Sequence, residues 1–229
     1  VTAAAPTAVV LLSGGLDSAT CLAIAREEGF APFALTVAYG QRHAGEIDAA
    51  RRVAAALGAP HRVVSVDLGS LGGSALTDPS AEVPKDRTDA EIGRGVPSTY
   101  VPARNTVLLA VATAAAEAMG ARAVYLGVNA LDTSGYPDCR PAFLEAFRAV
   151  AAAGTRRGAE GDPIEYRAPL LHDTKADVAR RATTLGVPVA LTLSCYDPAG
   201  GLHCGRCDAC LLRKRGFSEA RLPDPTRYA

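Results

Sequence analysis

The chain has 229 residues, 48% of them hydrophobic, enough to bury a sizeable core as one large domain or a domain with an appendage. Its 24 basic and 24 acidic residues cancel, which leaves no global field to hold a polyanion such as tRNA or DNA and favours small-molecule chemistry. No membrane-length apolar run and no basic start with a small-residue cleavage site is present, so a cytoplasmic protein away from membranes is expected.

Ala8 to Leu12 reads as a short buried strand, and Asp17 to about Glu28 as a helix closed by Gly29. Between them stands Ser13-Gly14-Gly15-Leu16-Asp17-Ser18. The glycine pair lets the backbone turn and approach a ligand, the serines bring hydroxyls, and the helix start brings aligned N–H groups. Together these make a phosphate cradle. It is not of the Walker type, because no lysine enters the loop. An ordinary strand-to-helix turn with two glycines is the alternative; the order of strand, glycines, aspartate, serines and helix argues against it.

Ala31 to Ala38 gives a second strand, followed by the polar stretch Tyr39 to His43 and a helix from Ala44 to Leu57. In an open parallel sheet such a stretch, at the carboxyl end of a strand, lines the ligand crevice. His61 to Val66 is a third strand. Asp67 to Ser98 is rich in Gly, Ser, Pro and charge and reads as a lid or a dimer arm. Thr106 to Met119 is a helix apolar on nearly every side, hence expected to be central. Ala123 to Val128 is a strand, Pro141 to Ala153 a helix opened by proline, and Ile164 to Ala168 a short strand. Asp173 is expected to cap a helix through Leu185 whose first turn holds Lys175, a poor match for the helix dipole that implies another partner for the ammonium. Val187 to Leu193 reads as a last strand.

Cys195-x8-Cys204-x2-Cys207-x2-Cys210 offers four thiolates on a Gly- and Pro-containing loop, a complete tetrahedral set for one structural zinc. An iron–sulfur cluster or redox thiols are the alternatives, with no electron-transfer partner in view. His203 is read as a bystander and Cys21 as a small core residue. The run Arg213-Lys214-Arg215 is read as the solvated end of a short helix rather than a nucleic-acid patch.

The loop Ser13 to Ser18 resembles the pyrophosphate loop of ATP pyrophosphatases, which split ATP between its α and β phosphates. More specific are Tyr39-Gly-Gln-Arg-His43 with Glu46, Tyr100-Val-Pro-Ala-Arg-Asn105, Gly127-Val-Asn-Ala-Leu-Asp132, Ser134-Gly-Tyr-Pro-Asp-Cys-Arg140, Asp173-Thr-Lys175 and the cysteine tail. Over essentially the whole chain this set resembles the QueC family of queuosine biosynthesis, the 7-cyano-7-deazaguanine synthases. Two small departures, Ala103 and Leu191-Thr-Leu193, touch only local pocket shape.

The resemblance implies an α/β fold with an open parallel five-stranded sheet and helices on both faces. Residues 1–193 would form the synthase domain, with residues 194–229 a zinc-bound cysteine tail packed on it. The implied reaction is ATP-dependent conversion of 7-carboxy-7-deazaguanine and free ammonia to the nitrile, with two ATP released as AMP and pyrophosphate, by a homodimer. Leu12, Ser13, Gly14, Gly15, Leu16, Asp17, Ser18, Ala19, Thr20, Cys21 and Leu22 would frame the ATP site, with Asp17 reaching a magnesium ion. Asp17, Arg104 and Lys175 are the implied catalytic residues, the two cations balancing phosphate charge. Tyr39, Gln41, Arg42, Asn105, Asp132, Tyr136, Asp138 and Arg140 are the implied substrate residues. Cys139 reads as a pocket wall, or as a nucleophile without an evident base. A tRNA-modifying enzyme on the same fold and a non-catalytic nucleotide-binding module are the competing classes.

Overall fold

The computed structural model describes residues 4–42, 45–92 and 94–229, with the backbone alone at 133 and 134. In chain order its elements are β1 (Thr7–Leu11), α1 (Leu16–Glu27), β2 (Ala31–Ala38), α2 (Gly45–Ala56), β3 (His61–Ser65), α3 (Asp89–Ile92), α4 (Arg104–Met119), β4 (Ala123–Tyr125), α5 (Ala130–Gly135), α6 (Pro141–Gly154), α7 (Arg156–Ala159), β5 (Glu165–Arg167), α8 (Lys175–Thr184) and α9 (Asp208–Ala220). The strands make one parallel sheet in the order β3-β2-β1-β4-β5.

Alternation along β1 decides which layer each residue joins. Ala8 and Val10 face a core built with α1, α2, α8 and Phe217 of α9. Val9 faces the opposite side, where Leu109 and Ala112 of α4 and Leu144 and Phe147 of α6 cover Val124 and Tyr166. Leu109 is 1% exposed. Truncating it to alanine is expected to cost about 2–5 kcal/mol, read as a lower urea midpoint with an unchanged m-value.

The chain leaves β1 towards β2 on one side and enters β4 on the other, so the crevice at the carboxyl ends of the strands opens where the order reverses. A Cβ at Gly127, just after β4, would lie 2.9 Å from the Ser18 nitrogen. Only glycine lets the β4 exit run this close to the start of α1.

Several sequence expectations are corrected. Val187 to Leu193 forms no strand; it contains a 3-10 turn, Val189–Leu191. Pro188 lacks a ladder donor, and Val189 and Leu191 are used in packing against the α1 side of the core. Helix α4 is not buried all round, since Thr106, Ala110, Ala114 and Ala118 are exposed. Alanine counts as apolar in a pattern yet tolerates solvent. Thr174, not Asp173, caps α8, in a reciprocal box with Asp177, while Asp173 accepts from Arg181 at 2.8 Å.

The described residues of the segment 67–98 form a strap rather than a lid. Ala75, Leu76 and Val83 are buried, Lys85 pairs with Asp197 at 2.7 Å, and Arg87 pairs with Asp208 on α9. Nor does Arg213-Lys214-Arg215 end a solvated helix. Arg213 is buried, Lys214 donates to the Gly205 carbonyl at 3.0 Å, and Arg215 pairs with Asp89. Among the described residues no helix is long and apolar enough to cross a membrane.

Candidate active site

The loop after β1 is shaped by what its backbone must avoid. Gly14 sits at φ +89°, and a Cβ there would strike the Glu46 carbonyl oxygen and lie 2.8 Å from the Ala50 nitrogen, so glycine is obligatory where α2 crosses. Gly15 precedes α1 in extended conformation with no side-chain cap, which leaves first-turn N–H groups for an anion. The hydroxyls of Ser13 and Ser18 stand 3.1 Å apart, and the Ser13 N–H donates to Ser18 Oγ at 3.1 Å. Two struts come from far along the chain. Leu193 N donates to the Gly14 carbonyl at 2.8 Å, and Leu16 N to Ser194 Oγ at 3.4 Å.

A charged cluster closes one side. Lys175 Nζ donates to Asp17 Oδ2 at 2.6 Å, and the Asn129 amide donates to the same oxygen at 3.1 Å and to Asp132 Oδ2 at 2.7 Å. Burial works against the Lys175 ammonium, but Asp17 and Asp132 outweigh it and its pKa rises. Burial, with Asp17 nearby, raises Asp132 against the pull of Lys175. The ammonium partner that the mismatched helix start required is therefore Asp17.

Tyr39, Arg104, Glu46, Tyr136 and Tyr196 line the same crevice. Arg104 lies over the Tyr39 ring, 5.7 Å from its centroid, and its Nε is buried without a hydrogen-bond partner among the described residues. Burial pushes the Glu46 carboxyl up to about 7 despite Arg104. Cys139 accepts from the Asn105 amide at 3.1 Å, and burial with Asp132 and Asp138 nearby pushes its thiol up, away from nucleophilic use.

The four sulfurs of Cys195, Cys204, Cys207 and Cys210 lie within 4.8 Å of one another, with Cys195–Cys207 and Cys204–Cys210 each at 4.0 Å. Tetrahedral zinc with bonds of about 2.3 Å separates its sulfurs by about 3.8 Å, so the set fits. Backbone N–H groups of Asp197, Cys204 and Cys207 point at the sulfurs from 3.2 to 3.3 Å, the arrangement that stabilises thiolates. Four sulfurs would fill the shell of a tetrahedral metal, the donor set of structural sites. His203 stays outside the shell, accepting from Ser194 N at 3.1 Å.

Residues 7–221 match the family model described as Queuosine biosynthesis protein QueC. The chain belongs to the QueC family. It is 61% identical to the 7-cyano-7-deazaguanine synthase of Anaeromyxobacter dehalogenans (strain 2CP-C), covering 100% of this chain and 98% of the relative. To the protein of that name from Azoarcus sp. (strain BH72) it is 60% identical, with 97% of each covered. Among solved structures it resembles NMN synthetase from Francisella tularensis (TM-score 0.50, 17% identity, 96% of this chain and 79% of the other). It also resembles a 4-thiouridine synthetase in an RNA complex with bound ATP (TM-score 0.51, 20% identity, 93% and 53%). At these identities the likeness shows the fold.

In this QueC chain the crevice gathers Leu12, Ser13, Gly15, Leu16, Asp17, Ser18, Tyr39, Gln41, Arg104, Asn105, Asp132, Tyr136 and Lys175. Other expected residues stand elsewhere. Gly14 supports the loop from behind. Ala19, Thr20, Cys21 and Leu22 are buried in α1 packing; Thr20 Oγ1 donates to the Leu16 carbonyl at 2.8 Å and the Cys21 thiol to that of Leu126 at 3.6 Å. Arg42 is spent on the carbonyls of Ala75, Pro79 and Ala81, Asp138 accepts the Asn105 N–H at 2.9 Å, and Arg140 is exposed outside the crevice. His43 lies outside the described residues. Sequence reasoning missed Tyr196, Ser194 and Arg213 as crevice residues and gave no site role to Glu46, although it stood in the motif set. Glu46 had a signal, its place in the first turn of a helix that follows a crevice loop.

Glu46 gives a pH prediction. Its ordinary pKa is 4.5 and the folded value is about 7. Between these values the folded chain holds a proton the unfolded chain has released, so this group's contribution to stability falls as pH rises through that window. Glu46→Gln removes the penalty. Chemical denaturation is expected to show the variant gaining stability over the wild type at pH 8 and not at pH 4.

Proposed function

We propose that this chain converts 7-carboxy-7-deazaguanine and ammonia to 7-cyano-7-deazaguanine at the expense of ATP, through adenylated carboxylate and amide. A carboxylate is a poor electrophile; adenylation makes its oxygen a leaving group that ammonia displaces. The resulting amide is activated at its oxygen in turn, and loss of that oxygen with AMP and of the nitrogen's protons leaves the nitrile. Both rounds need a substrate oxygen in line with the α phosphate, which is a problem of positioning and charge stabilisation.

The observation that carries this reading is the shared crevice, which the Ser13 to Ser18 loop lines together with Lys175, Asp132 and Arg104. The loop and first-turn N–H groups would hold the β and γ phosphates. Lys175 and Arg104 would offset charge at the α phosphate and pyrophosphate. The carboxylate oxygens of Asp17 and Asp132 fit a hard cation, and magnesium there would neutralise phosphate charge. Asp132, Asn105 and Tyr136 are our candidates for reading the deazaguanine.

We further propose zinc at the four cysteines, a homodimer, and a cytoplasmic setting where ATP is supplied. Emission spectrometry is expected to find about one zinc per chain, and sedimentation a mass of two chains. Incubation with ATP, ammonium and the 7-carboxy base tests the reaction. AMP and pyrophosphate formation that requires the base is expected; AMP formation indifferent to it would overturn the reading.

A further inference from the structure

Three carboxylates line the crevice: those of Asp17, Asp132 and Glu46. Asp17 is held by Lys175 and Asn129, and Asp132 by the backbone and side-chain N–H groups of Asn129. Both are fixed acceptors. The Glu46 carboxylate, lining the same crevice, accepts no hydrogen bond among the described residues. Among the described residues the groups facing it are Arg104 from α4 and Tyr39 from the end of β2, while Leu193, packed beside Gly45 at its helix start, brings no charge.

Resting on the carboxylate-to-nitrile reading, we infer that Glu46 is the proton acceptor for the nitrogen substrate. At neutral pH the nitrogen arrives as ammonium, with its lone pair tied up by a proton. The Glu46 carboxylate takes that proton, and the N–H bonding pair becomes the lone pair of ammonia. The lone pair attacks the acyl carbon as the C–O bond to AMP breaks with its electron pair leaving on AMP, the surplus proton passes from nitrogen to solvent water, and Glu46 gives up its own proton to solvent before the second round. In the second round one N–H proton is lost to solvent as the amide oxygen is adenylated, and the re-ionised carboxylate removes the other as the C–O bond breaks with its electron pair leaving on AMP, so that the nitrile and AMP separate. Arg104 beside it keeps the carboxylate form accessible, and burial sets its affinity for a proton near neutrality, where a general base works best.

Glu46→Gln at pH 7 is expected to lower ammonium-dependent turnover by about 10²-fold or more. Single-turnover pyrophosphate release from ATP and the 7-carboxy base, measured without ammonium, is expected to stay within about twofold of the wild type, which also reports that the variant is folded. Raising the pH to about 9.5 supplies free ammonia and is expected to bring the variant back towards the wild type, with Glu46→Asp intermediate throughout. Pyrophosphate release that falls in step with turnover, or a raised KM for the 7-carboxy base with an unchanged pH profile, overturns the inference. A wild-type protein that makes no AMP with that base overturns the underlying reaction as well, which separates the two failures.

Discussion

Gly14→Ala is expected to cut AMP formation by more than about 10²-fold and to cost about 3 kcal/mol of stability. Two separate terms act at this position. The backbone is at φ +89°, where an L side chain is strained, and the new methyl meets backbone atoms of Glu46 and Ala50 that no rotamer change can clear. Relief requires either the loop or α2 to move, and a shift of about 1 Å is enough to lose in-line geometry. Gly29 supplies the control. It has φ +84° with open space around it, so Gly29→Ala carries only the backbone term, about 1 kcal/mol, and leaves turnover unchanged. Urea titration and steady-state kinetics of the pair check both halves; wild-type kinetics for Gly14→Ala would contradict the placement of the loop.

With a metal at the four cysteines, as proposed, Cys207→Ser is expected to release it and lower stability by about 5 kcal/mol or more, because structural metal binding is folding free energy. The effect reaches the crevice through the chain itself. Cys195 directly follows Leu193 and Ser194, which bond Gly14 and Leu16, and Arg213 of α9 donates to Ser194 Oγ at 3.2 Å. Helix α9 also lies so close to α8 that a Cβ at Gly216 would be 2.7 Å from Cβ of Lys175. Loosening the tail therefore frees two loop struts and the helix start that aims Lys175 at Asp17. Metal content, thermal melting and the KM for ATP are expected to change together in Cys207→Ser. Cys21→Ala, remote from the cluster, is expected to keep its metal. A Cys207→Ser protein with full metal content would contradict the site.

What was legible in the sequence was local. The apolar run of β1, the glycine pair and the helix after it signal one another within about twenty residues, as does the cysteine spacing. The resemblance extended this to the crevice residues Arg104, Asp132 and Lys175, although their partners are distant in sequence. What was not legible depended on neighbours no pattern names. The apolar stretch before the tail looks like a strand until the sheet is seen to end at β3 and β5. Arg213 reads as a surface charge until Thr192, Ser194 and Asp224 surround it. Arg42 and Arg140 share motifs with crevice residues, but one is bound by carbonyls of the strap and the other faces solvent.

The central claim is that an oxygen of the substrate attacks the α phosphate while the loop holds pyrophosphate. Turnover of 7-carboxy-7-deazaguanine labelled with oxygen-18 in its carboxyl group tests it directly by mass spectrometry. The account predicts two AMP per nitrile, each carrying one labelled oxygen, with unlabelled pyrophosphate. Unlabelled AMP, or ADP with labelled phosphate, would contradict it.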